Sequence, residues 1–171
     1  MNTIQNRTKI RFFRKILLSG VVGFLLGFGF PFDVSAQTPI TIDWKTDLKF
    51  GKASSSVDGT GSIIIDAVAN TRIVTGEAFD FGGTWKRGKF QIFGEPKAFV
   101  NVYLPTTVTF TSSNGSYTLT MSNLTMSRTN PFKLSKNGKK TVYIGGTLGI
   151  GVNQKDKTYK AIDFPFTVEY N

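Results

Sequence analysis

Thr141-Val-Tyr-Ile-Gly-Gly-Thr-Leu-Gly-Ile-Gly-Val-Asn153 and, a few residues on, Tyr159-Lys-Ala-Ile-Asp-Phe-Pro-Phe-Thr-Val-Glu-Tyr-Asn171 decide how the chain is read. In the second run Ile162, Phe164, Phe166, Val168 and Tyr170 share one parity, and Ala161, Asp163, Pro165, Thr167 and Glu169 share the other. A period of two is that of a half-buried strand. The two runs together predict two or three strands that close a β-sheet protein.

The opposite end of the chain follows another logic. Arg7, Lys9, Arg11, Arg14 and Lys15 form a basic start, residues 16–30 are apolar, and Val34-Ser-Ala36 is a small-residue cleavage site. Residues 1–36 therefore read as a secretory signal peptide. The apolar run is shorter than the roughly 18 or more residues of a spanning helix, so no stable membrane span is expected after cleavage. Cleavage leaves a single domain, 37–171, with 16 basic and 10 acidic residues, a net charge of +6. The exported chain is expected in the periplasm, outside the cell or on the surface of a bacterium. It has no Cys, so burial and sheet hydrogen bonds must stabilise it without disulfides.

From residue 37 onward the apolar positions alternate. Ile40, Ile42 and Trp44 alternate with Thr41 and Asp43 in a first strand, and 48–51 extends or follows it. Residues 52–61 are polar and read as loop. Residues 62–68 form a buried, Ile-rich strand, 72–76 a third, and 77–81 a continuation past a bulge at Gly76. A basic loop, 84–87, precedes strands at 89–93 and 99–104. Asn114-Gly115 between alternating runs at 108–110 and 117–121 is a hairpin signal. Residues 130–140 read as a polar, Lys-rich loop. Nowhere does a helical period persist. About nine strands predict an immunoglobulin-like antiparallel β-sandwich. A small outer-membrane barrel is the other closed form, but several strands are only about five residues long where a spanning strand takes about 9–11.

The residues that carry the closing pattern resemble a family of secreted bacterial proteins known as a domain of unknown function. Members show a Val-Gly-Gly-Thr-Leu strand and end in Val-x-Tyr-Asn. The matching positions here are Ile144-Gly-Gly-Thr-Leu148 and Val168-Glu-Tyr-Asn171, with Leu48-Lys-Phe-Gly51 near the start. Lys157 and Ala161 stand where the family carries glycines, and Ile144 where it carries valine. The family is distantly similar to spore-coat-U-type and chaperone–usher fibre subunits, which have immunoglobulin-like folds. That resemblance implies a fimbrial-like role, with like subunits and a periplasmic chaperone as partners.

Two sets of residues are candidates for function. In strand complementation a neighbour's strand completes a sheet, its backbone giving affinity and its alternate side chains filling pockets. Ile40, Ile42 and Trp44 read as a donor strand, and Phe164, Phe166, Val168 and Tyr170 as the strand a chaperone grips. Both runs also fit the first and last strands of a complete sandwich. Trp85, Lys86, Arg87 and Lys89 form a basic–aromatic cluster and Lys133, Lys136, Lys139 and Lys140 a second basic segment. They are candidates for an anionic glycan or cell surface; solvated loops have the same composition, and nucleic acid is not expected for an exported chain. The alternative to a fibre subunit is thus a self-contained carbohydrate- or surface-binding sandwich. With neither His nor Cys, the commonest general base and the thiol nucleophile are missing. No catalytic residue, metal ligand or cofactor is expected. The Gly145–Gly151 run has neither dinucleotide nor P-loop spacing and reads as close strand packing.

Overall fold

The computed structural model describes residues 37–161 and 163–171; the predicted leader and Ile162 lie outside the described residues. Among the described residues fifteen strands follow one another. The first seven are β1 (Thr41–Thr46), β2 (Lys49–Phe50), β3 (Ala53–Ser54), β4 (Gly61–Ile65), β5 (Arg72–Gly76), β6 (Phe79–Asp80) and β7 (Trp85–Lys86). Next come β8 (Gly88–Phe93), β9 (Phe99–Tyr103), β10 (Val108–Ser112) and β11 (Thr118–Met126). The last four are β12 (Phe132–Lys133), β13 (Lys139–Ile150), β14 (Tyr159–Ala161) and β15 (Thr167–Tyr170). Nine of these have four or more residues; of the six shorter ones, β3, β7 and β12 fall inside segments whose polarity reads as loop.

The long strand β13 is the axis. Residues Lys139 to Ile144 pair with β8, and Gly146 to Ile150 pair with β4 farther along the same edge. Its other edge pairs with β11, Met126 opposite Ile144 and Met121 opposite Leu148. Beyond these lie β1 on β8, β5 on β4, and β10 then β14 on β11, eight antiparallel strands in all. The second layer is the antiparallel sheet β12–β9–β15. One apolar cluster draws on both layers, from Phe90, Ile92, Met121, Val142 and Ile144 to Val100, Val102 and Phe132. The fold is an antiparallel β-sandwich. The strand period explains its faces: Phe90, Ile92, Val142 and Ile144 point inward and are buried, while Lys89, Gln91, Thr141 and Tyr143 point outward and are half-buried. Full burial of each large side chain contributes about 1.5–3 kcal/mol.

Three sequence expectations are corrected. The closing run is not one strand. β14 pairs with β10 in the large sheet, β15 pairs with β9 in the small one, and 163–166 carry the chain between layers outside any strand. Pro165, which has no N–H for a ladder, lies in that crossing. The 77–81 segment does not continue β5: Gly76 turns the chain at φ +69°, and β6 pairs with β3 instead. The Lys-rich segment 130–140 is not wholly solvated. Phe132 and Leu134 are buried, and β12 pairs with β9. The hairpin holds, with Gly115 alone at positive φ, +77°.

Two local features lock this arrangement. A Cβ at Gly145 would collide with the Ile65 carbonyl oxygen and stand 2.9 Å from the Ala67 nitrogen, so only glycine lets β13 pass the end of β4. Arg72, with its side chain almost wholly buried, donates from Nε to the Phe50 carbonyl (2.7 Å), from Nη2 to the Lys52 carbonyl (3.2 Å) and from Nη1 to Asp80 (2.6 Å). One guanidinium thus ties β5 to the β2–β3 segment and to β6. Sequence gave no hint of it; a strand-edge arginine usually faces water.

Two predictions follow from these locks. Gly145→Ala costs about 1–3 kcal/mol through the forced backbone shift, while Gly149→Ala, whose added Cβ meets only the Thr120 carbonyl oxygen at 3.6 Å, changes stability little. Urea unfolding of both variants measures the contrast. The bonds from Arg72 and from the Gly82 amide hold the Asp80 carboxyl below its ordinary pKa. Its stabilisation is therefore complete above the unfolded carboxyl value near 3.9 and is lost as pH falls through the depressed folded value. Asp80→Asn should be less stable than the parent at pH 7, with the gap closing on acidification below about pH 4, as read by thermal melts across pH.

Candidate functional site at the meeting of the chain ends

The first strand is an edge strand. β1 pairs with β8 from Thr41 opposite Phe93 to Thr46 opposite Lys89, with an irregularity after Trp44, and stands at one end of the eight-stranded order. Alternation turns Ile42 and Trp44 inward and leaves Thr41, Asp43 and Lys45 exposed. Ile40, Ile42 and Trp44 are partly buried against the core. Trp44 meets Phe90 of β8 at 5.5 Å between ring centroids, Phe164 at 5.8 Å and Phe166 at 5.9 Å, the last two edge to face. Phe166 in turn packs on Phe90 at 4.8 Å. Tilted and edge-to-face pairs of this kind add about 0.5–1.5 kcal/mol each beyond the area they bury. The first strand therefore lies in a groove with Phe90 on one side and the interlayer crossing, Phe164 and Phe166, on the other.

The contact is imperfect at one atom. The Trp44 indole Nε1 is buried and has no hydrogen-bond partner among the described residues. An orphaned buried donor costs on the order of 1–3 kcal/mol.

The last strand closes the same end of the molecule. Val168 and Tyr170 of β15 face the core, opposite Val102 and Val100 of β9. The Tyr170 hydroxyl accepts from the Glu95 backbone N–H at 2.6 Å and donates to the Thr38 carbonyl. Thr38 donates from its backbone N–H and its hydroxyl to the Glu95 carboxylate. Residues 38, 95 and 170 thus clasp the entry to β1, the β8–β9 turn and the end of β15. All seven predicted assembly residues are gathered here. Thr38 and Glu95, which complete the clasp, carried no pattern in the sequence because their role is set entirely by who lies nearby.

The basic–aromatic set divides. Trp85 lies in the β2–β7 ribbon opposite buried Phe50, and Lys86 is exposed. Arg87 and Lys89 instead reach Tyr143 of β13: the guanidinium carbon stands 3.7 Å from the ring centroid and the Lys89 ammonium 5.8 Å. Tyr143 was missed because 54 positions of chain separate it from Lys89, and only the β8–β13 register brings them together.

An antiparallel sandwich whose edge strand β1 packs by Trp44 against β8 and the crossing that leads into β15 defines the class of this molecule. The model of the family DUF4402, a domain of unknown function, matches residues 40–170. The chain belongs to that family. No curated protein and no solved structure matches it.

The groove and the clasp give distinct mutational signatures. Trp44→Phe keeps a ring in the groove and removes the orphaned donor, so stability should stay within about 1 kcal/mol of the parent, whereas Trp44→Ala should lose about 3 kcal/mol. Tyr170→Phe deletes both hydroxyl bonds and strands the Glu95 N–H, at a cost of about 1–3 kcal/mol. Chemical unfolding of the three variants checks the order.

Proposed function

We propose that this chain is a non-enzymatic, exported surface subunit that assembles into fibre-like polymers by exchanging its N-terminal strand between copies. One observation carries the reading. Among the described residues β1 is a terminal edge strand, bonded by a single ladder and seated by alternate side chains in a groove between β8 and the Phe164–Phe166 crossing. A β1 from a second copy offers the same amides, carbonyls, Ile42 and Trp44. Exchange therefore leaves the interface energy unchanged, and the two-residue link 47–48 between β1 and β2 decides whether the strand closes on its own body or on a neighbour. The resemblance of the closing residues to fibre subunits points the same way, as does the lack of His and Cys for catalysis. A periplasmic chaperone would cover the groove until a strand arrives, through backbone pairing of the kind that β-augmentation uses.

Asp43 and Gln91 face each other across the β1–β8 ladder, both on the outer side. Opposed residues in an antiparallel pair lie about 4.5–5.5 Å apart at Cα, within disulfide reach. The chain has no native Cys, so an Asp43→Cys/Gln91→Cys variant reports only on this pair. After export and mild oxidation, exchange gives a ladder of covalent multimers on a non-reducing gel that collapses on reduction. Monomer alone, with every bridge internal at all protein concentrations, would reject assembly by β1.

A further inference from the structure

The two basic segments of the sequence lie about forty-five residues apart, and the register of β8 with β13 joins them. Lys139 stands opposite Phe93, Thr141 opposite Gln91 and Tyr143 opposite Lys89. All six side chains point away from the core, because the intervening Phe90, Ile92, Val142 and Ile144 are the buried ones. The Lys139 ammonium lies 5.3 Å from the Phe93 ring centroid, and Gln91 donates to the Thr141 hydroxyl at 3.3 Å. Arg87 extends the row past Lys89, its guanidinium on Tyr143 and its Nη1 donating to the Ala67 carbonyl at 2.8 Å. The row from Lys139 to Tyr143 spans four strand steps, about 14 Å.

The charges on this face are unequal. Lys139, Lys89, Arg87 and Lys45 are its cations. Its carboxylates are Asp43, which pairs with Lys45, and Asp66, which lies near Arg87 and caps the turn through the Val68 and Ala69 amides. Lys89 and Lys139 are left without a carboxylate opposite them in the ladder. The cations are also held in place, by ring faces and, for Arg87, by backbone carbonyls, so less side-chain entropy is lost when they engage an anion.

We propose that the outer face of β8 and β13 binds an extended acidic polysaccharide, with Lys89, Lys139 and Arg87 engaging its carboxylates and Gln91 and Thr141 its hydroxyls. The geometry favours this occupant over other polyanions. Single-stranded nucleic acid binds by stacking bases on open aromatic faces, whereas cations already sit over the Tyr143 and Phe93 rings. An anionic lipid surface is bound tightly when apolar side chains insert beside the charges, and this row presents amide, hydroxyl and ammonium groups between its two covered rings. Charge-assisted bonds at regular intervals along a flat strand pair suit a chain that repeats an anion. The inference is independent of strand exchange, since a monomer and a polymer carry the same face.

The test uses the exported chain and polygalacturonate as the probe, with dextran as the neutral polymer, at low and moderate salt. Binding to polygalacturonate and not to dextran, weakening as salt rises, is expected. Lys89→Glu/Lys139→Glu should weaken it at least about tenfold, because two charge-assisted bonds are lost and replaced by repulsion. Lys155→Glu/Lys160→Glu, which makes the same change of charge at exposed positions off this face, should leave it within about twofold. Lys139→Glu alone, at an exposed strand end, repeats the test should the double variant fail to melt like the parent. Absence of polygalacturonate binding, equal losses in both double variants, or tighter binding to single-stranded oligonucleotide or to phosphatidylglycerol vesicles would each overturn the proposal.

Discussion

The constraint on which the structure depends is that β13 is paired along both edges at once. From Ile144 to Leu148 it has β11 on one side and β8 or β4 on the other, and a strand held on two sides cannot shift register without breaking both ladders. Its alternation places Val142, Ile144 and Leu148 in the core, so a slip of one residue would also expose them. The change of partner from β8 to β4 falls at Gly145, where the Ile65 carbonyl at the end of β4 comes too close for a side chain. Every other strand of the large sheet is positioned directly or indirectly from this one.

The ends of the chain are held differently. Among the described residues β1 has a ladder on one side only, and its inward side chains are partly exposed. Among the described residues β15 also pairs on one side, and the Tyr170 hydroxyl ties it to Thr38 ahead of β1. The contrast between a doubly paired interior strand and singly paired terminal strands sets where the molecule can open at least cost. The groove around Trp44 is rich in ring contacts yet leaves one indole donor unpaired, so it is well packed and incompletely satisfied. That combination is in keeping with the exchange of β1 proposed above.

The basic face arises from the same pairing. Neither basic segment has its partner rings nearby in the chain: Arg87 and Lys89 find Tyr143, and Lys139 finds Phe93, across the β8–β13 ladder. Trp85, the most prominent aromatic in the first segment, belongs to another ribbon. Proximity in sequence was thus a poor guide to which aromatic serves which cation.

Much was legible in the chain itself. Period-two alternation located the principal strands, and Asn114-Gly115 located a hairpin, because side-chain parity and turn conformation are local properties. Alternation also marked Ile42, Trp44, Val168 and Tyr170 as inward-facing. What alternation could not give was partnership. It ran β14 and β15 together although they belong to different layers, and it left Arg72, Thr38 and Glu95 without roles, since hydrogen bonds between distant segments leave no periodic trace. Which residues face inward was fixed by the order of residues along the chain, through the geometry of the extended backbone. Which strands lie side by side, where the ends meet and which cations share a ring were decided only when long-range pairing brought separated segments together.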